Sequence, residues 1–176
     1  IAVALDVPPL AGSGRDSCSA TLTRAIPRRA SGAPGGQAAI ARLAANAGAE
    51  RDNAVAQSVI SGNIPEFLRQ LVPVTVSGTG ADGRPARITL CVMPDYLALG
   101  SDTDFVRVPL GLPAASLIAE RFDMVLPTTR MVDAIHAQAS VRLRPSPMTP
   151  GAQMASTEYF LRHNATLEGQ RRSAGG

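Results

Sequence analysis

Apolar positions along the chain recur at helical spacing, then alternate, then return to helical spacing. Ile40, Leu43, Ala44 and Ala47 lie three and four apart, and Gly48 is placed to stop the helix they predict. A second helix is expected from about Glu50, with Val55, Val59 and Ile60 inward and Gly62-Asn63 at its end. Pro65 suits the first turn of a short third helix carrying Phe67, Leu68 and Leu71. The period then drops to two. Val74 to Ser77 alternates, and so does Arg87 to Val92, with Ile88, Leu90 and Val92 on one face. Asp82-Gly83, between Gly78 and Pro85, is a turn signal that joins them into a hairpin. A second hairpin is expected from Tyr96 to Leu99, through Gly100-Ser101-Asp102-Thr103, to Phe105–Val108. Pro94 and Pro109 bracket it and argue for edge positions.

Helices return after the strands. Pro113 opens one through Leu117, Ile118 and Arg121, and Thr128 can cap the next, whose apolar stripe is Met131, Val132, Ile135 and Ala139. A proline-rich connector, 142–150, precedes a last helix expected over Thr157–Leu167. The order predicts an α+β fold: a small antiparallel sheet of two hairpins, flanked by N-terminal and C-terminal helices. The ends carry no period. Residues 1–35 read as a disordered leader or linker, 36–170 as a single α+β domain, and 171–176 as a disordered tail.

Composition changes this picture in three places. With 176 residues, 45% of them hydrophobic, the chain can fill one core; at 3% aromatic and without Trp, that core is aliphatic and its stability modest. All 17 basic residues are Arg, and the net charge of +3 comes from the two ends, since residues 35–161 hold 10 Arg against 11 acids. Nucleic-acid binding asks for a basic stripe on a folded face, so no nucleic-acid partner is expected. No run is long enough to span a bilayer. Opening at Ile1, the chain reads as processed or as a fragment. Cys18 and Cys91 can pair in an oxidising compartment; the alternative, favoured by the strand pattern, makes Cys91 a small buried hydrophobe.

Candidate chemistry is sparse. There is no phosphate-cradling loop, HExxH, paired CxxC or GxSxG, so no cofactor or metal is expected. The last helix is the most informative element: Phe160, His163, Asn164 and Leu167 fall at i, i+3, i+4 and i+7, which puts an imidazole and a carboxamide among apolar residues on the inward face. Such groups need partners, because an unpaired buried polar group costs about 1–3 kcal/mol. One reading makes His163 a general base with Asn164 orienting it or a substrate. The plainer one makes both structural. His136, one turn beyond Asp133, reads as a solvated helix flank. Asp95 and the acidic turn Asp102-Thr103-Asp104 offer oxygens to Ca²⁺, although such side chains also make turns with their own backbone. Asn164-Ala165-Thr166 matches a glycosylation acceptor, and its inward placement argues against use.

Four stretches carry a resemblance: Ser61–Val74 (SGNIPEFLRQLVPV), Met93–Asp104 (MPDYLALGSDTD), Leu126–Ile135 (LPTTRMVDAI) and His163-Asn164. Over residues 37–170 the chain resembles a group of uncharacterised exported bacterial proteins of no established activity. The resemblance implies a periplasmic or extracellular location. It also implies a family chain that continues past residue 176, so that an intramolecular partner would lie beyond the C-terminus. Two functions are then expected. The first is a hydrolase-like enzyme acting on a cell-envelope or extracellular polymer, with His163 as base, Asn164 as its hydrogen-bonding partner, and Asp95 or Asp102 contributed by the sheet. The second is a non-catalytic binding or scaffolding module that docks through the polar face of its last helix. The first requires His163 in a concave pocket within reach of a carboxylate or hydroxyl. The second requires an exposed apolar patch around Phe160 and Leu167.

Overall fold

The computed structural model describes residues 3–6 and 18–174. The fold is α+β, as the pattern of periods predicts, with two small antiparallel sheets and, among the described residues, five α-helices. One sheet has the order β1-β3-β2, from β1 (Val3–Asp6), β2 (Val72–Thr79) and β3 (Pro85–Val92). The other is the ribbon of β4 (Ala98–Gly100) and β5 (Phe105–Arg107), in which Leu99 faces Val106. The helices are α1 (Gly36–Ala41), α2 (Gly48–Ile60), α3 (Leu112–Arg121), α4 (Thr129–Gln138) and α5 (Thr157–Ser173).

The β4–β5 ribbon is the centre of the core. Its residues are buried except for the half-buried Phe105, with α1 and α2 against β4 and α1 and α5 against β5. Both strands of this two-stranded ribbon are edges, as Pro94 and Pro109 predict, and helices cover them. The core around it is built from Ile40, Val55, Val59, Ile64, Leu68 and Phe122, all fully buried. A second, smaller cluster lies between α4 and the other sheet: Val74, Leu90 and Val92 pack with Met131, Ala134 and Ile135. Val132 and Ala139 of the expected α4 stripe fall outside it, and Ile88, though in line with Leu90 and Val92, is 52% exposed because α4 does not reach it.

Three boundaries differ from the sequence pattern. Helix α1 stops at Ala41, and Gly48, at φ +55°, begins α2 instead of ending α1. The helix foreseen after Pro65 is a single 3-10 turn, Glu66–Arg69. Helix α5 continues through Arg171 and Arg172 to Ser173, so the first half of the expected tail is helical; cations in its last turn suit the negative end of the helix dipole.

The expected leader differs most. Val3–Asp6 pairs with β3 as strand β1, and from Cys18 onward the segment is bound to the domain. Ile26 is in the core, and Arg29 donates to Asn63 Oδ1 (3.0 Å) and to the carbonyls of Ala33 and Pro34. Arg69 reaches back to the Pro27 carbonyl at 2.7 Å. Cys18 and Cys91 form a disulfide with Cα atoms 5.3 Å apart, which corrects the reading of Cys91 as a free thiol. Residues 7–17 lie outside the described residues.

Candidate functional site

Arg107, at the end of β5, organises the polar heart of the molecule. Its side chain is 5% exposed. Nε donates to Asp95 Oδ1 at 3.0 Å and Nη2 to Asp95 Oδ2 at 2.5 Å, a bidentate fork. Nη1 donates to Glu168 Oε1 at 2.5 Å and to Asn164 Oδ1 at 3.4 Å, and the Arg107 backbone N–H reaches the same Asn164 oxygen at 3.1 Å. Burial alone would lower the pKa of this guanidinium, but its hydrogen bonds to Asp95 and Glu168, together with their negative charge, outweigh it and hold the group above the ordinary arginine value. The cation is therefore permanent, and the two carboxylates are its counter-ions.

Asn164 meets the Arg107 amide because α5 lies across the outer face of β5. The inward carboxamide read from the α5 pattern is thus real, and the backbone of a neighbouring strand satisfies it. Phe160, one turn earlier, is buried with the Arg51 guanidinium 3.8 Å from its ring centre. Arg51 in turn pairs with Asp52 at 2.9 Å, and Asp52 Oδ2 accepts the Gly111 N–H at 2.8 Å, so one carboxylate links α2 to the start of α3.

His163 is half-buried and lines a cleft of about 400 Å³ bounded by the β4–β5 ribbon, α3 and α5. Ile118, Ala115, Leu97, Val108 and Leu167 form much of its wall, and Tyr96, Arg107 and His163 are its polar members. Cleft and polar cluster share Arg107 as a wall.

The four candidate residues therefore separate. Asp95 and Asn164 come together at Arg107, and His163 lies in the cleft that Arg107 borders. Asn164 offers its oxygen to Arg107 and not to the imidazole, so the expected His163–Asn164 pairing is corrected. Asp102 is elsewhere. Its Oδ1 accepts the N–H groups of Glu66 (2.6 Å) and Phe67 (3.2 Å), capping the 3-10 turn. Asp104 does the same for α1, accepting the Gln37 N–H at 3.1 Å. These acids cap neighbouring elements across the loop, which accounts for the acidic turn by hydrogen bonding. His136 is exposed on the flank of α4.

Arg107 and Glu168 are the residues that sequence reasoning missed. An Arg between Val106 and Val108 was the available signal: in a strand buried on both faces it cannot avoid needing counter-ions. Comparison with protein-family models, with curated proteins and with solved structures gives no match for this chain.

Proposed function

We propose that this chain is an exported, non-catalytic binding module whose cleft between β4–β5, α3 and α5 receives an apolar group. The polar end of that group would face Tyr96 and His163. The observation that carries the reading is the composition of the cleft: aliphatic walls over about 400 Å³, with an Arg107 whose donors are spent on Asp95, Glu168 and Asn164. Volumes of this size accommodate a drug-sized ligand or a large side chain, and a few polar groups at the wall orient it. The hydrolase reading has less behind it. Two of its residues, Asp95 and Asn164, are held by Arg107, and a third, Asp102, caps a turn. Export draws support from the Cys18–Cys91 disulfide, which persists in oxidising compartments.

The test is a calorimetric titration of the chain with medium-length alkyl alcohols, repeated with Ala115→Trp. Ala115 is a half-buried cleft residue on α3, so an indole there fills the cavity without breaking the helix. Saturable binding with a negative heat-capacity change, lost by at least about tenfold in the variant, is the expected result. Absence of binding to the unmodified chain, or binding indifferent to Ala115→Trp, overturns the proposal.

A further inference from the structure

We propose that the outer edge of β2 is a self-pairing surface, that its partner is the same edge of a second copy of this chain, and that Gln138 holds the pairing in check. This surface is separate from the cleft. Strand β2 has β3 on one side and, among the described residues, no strand on the other. At Thr75 the free side is plugged. The Gln138 side-chain amide accepts the Thr75 N–H at 3.1 Å through Oε1 and donates to the Thr75 carbonyl at 2.9 Å through Nε2. That reciprocal exchange is what one residue of an antiparallel neighbour would make. The carboxamide stands where the peptide group of another strand would fit.

The alternation of an antiparallel ladder turns the N–H and carbonyl of Ser77 and Thr79 to the same free side as those of Thr75. All three residues are exposed. Pro73 has no N–H to give, so pairing starts at Thr75. An antiparallel approach with its two-fold axis at Ser77 sets Thr75 against the second copy's Thr79, Ser77 against Ser77, and Thr79 against Thr75. Each of these pairs can exchange two hydrogen bonds. A second copy suits this edge better than a charged peptide, because residues 72–80 contain no charge. No like charges oppose one another within the paired strands, and there is no charge for a foreign sequence to recognise. Edges of this kind are ordinarily protected by charged residues or by proline. Here the protection is Pro73 at one end and Gln138 in the middle.

Gln138 is the last residue of α4, and α4 has no fully buried residue and packs on the small cluster apart from the main core. An element so attached is drawn from the low end of local stability and can yield its contact.

The experiment is sedimentation equilibrium of the full 176-residue chain across a concentration series, alongside Gln138→Ala and the double variant Gln138→Ala with Ser77→Lys. Gln138 is an exposed helical position and Ser77 an exposed strand position, so both changes leave the packed interior alone. Gln138→Ala is expected to strengthen dimerisation by at least about tenfold. Amide exchange at Ser77 and Thr79 should slow as concentration rises. Ser77→Lys, which sets two ammonium groups across the two-fold axis, should return the variant to monomer. A Gln138→Ala chain that stays monomeric with unchanged Ser77 exchange overturns the proposal, as does a dimer that survives Ser77→Lys. A variant that stays monomeric yet binds a scrambled strand peptide as well as the 72–80 peptide makes the edge a general acceptor, and also overturns it.

Discussion

Arg107 shows how one residue can decide the chemistry of a site by using up its neighbours. A guanidinium that is 5% exposed is accommodated in the fold because Asp95 takes two of its donors and Glu168 a third. Its raised pKa means that the charged form is favoured by folding, so this contribution is complete at every ordinary pH and fades only at alkalinity beyond the arginine range. Replacing it by Met should remove about 3 kcal/mol, the lower end for breaking a buried pair, because Asp95 and Glu168 keep 19% and 23% of their side chains in water. Lys should recover only part of that, since an ammonium cannot form the bidentate fork. Urea denaturation of the two variants checks both expectations; equal stability of Met and native chains would mean that the cluster is incidental. From sequence, half of this was legible. Periodicity could place Asn164 inward, because facing inward is a property of α5 itself. It could not name the partner, because Arg107 is 57 positions away and meets Asn164 only when α5 lies on β5. The roles of Asp102 and Asp104 are hidden for the same reason: both cap backbone that is distant in sequence.

At the scale of elements, the chain announces what local sterics control and hides what depends on neighbours. Both hairpins, the Pro113 start of α3 and the Thr128 cap of α4 could be read directly, because turn residues, proline and capping hydroxyls act within a few positions. The length of α1 could not. Its apolar spacing continues to Ala47, yet the backbone turns away after Ala41, and α2 then starts at Gly48. What fixes α1 is where it meets the ribbon. Gly36 N–H donates to the Asp104 carbonyl at 2.8 Å, and a Cβ on Gly100 would lie 2.1 Å from that same oxygen and 2.4 Å from Gly36 N. Gly100 also has φ +116°, a conformation closed to most L-residues. Gly100→Ala therefore meets both strain and collision, and should cost at least about 2 kcal/mol by thermal melting. Gly78, with open space around its Cβ position, is the control, and Gly78→Ala should cost well under half as much. Equal costs at the two sites would mean that the helix–ribbon crossing is not tight.

The molecule as a whole is held together by connections that leave no period in the sequence. Residues 18–35 look like a linker because they bind through carbonyls, two arginines and one sulfur bridge, and such contacts do not repeat every two or three positions. Cys18 and Cys91 are 73 positions apart, so their bridge closes the chain from the start of residues 18–35 to the end of β3 into one loop. In the chain-entropy account a loop of that length stabilises the fold by about 4 kcal/mol, chiefly by restricting the unfolded chain. For a chain of this size, 4 kcal/mol corresponds to a melting temperature roughly 8–16 °C higher. Reduction, or the double replacement Cys18→Ser with Cys91→Ser, should lower the melting temperature by that amount. It should also expose residues 18–35 to proteolysis well before α2, because only non-covalent contacts, Ile26 and the Arg29 and Arg69 bonds among them, would then hold that segment. A chain that melts at the same temperature with and without reductant would show that the segment is held by those side chains and not by the bridge. A chain that loses α2 and residues 18–35 together would show that the segment is part of the cooperative core, so that the apparent linker is as much a piece of the fold as the helices it precedes.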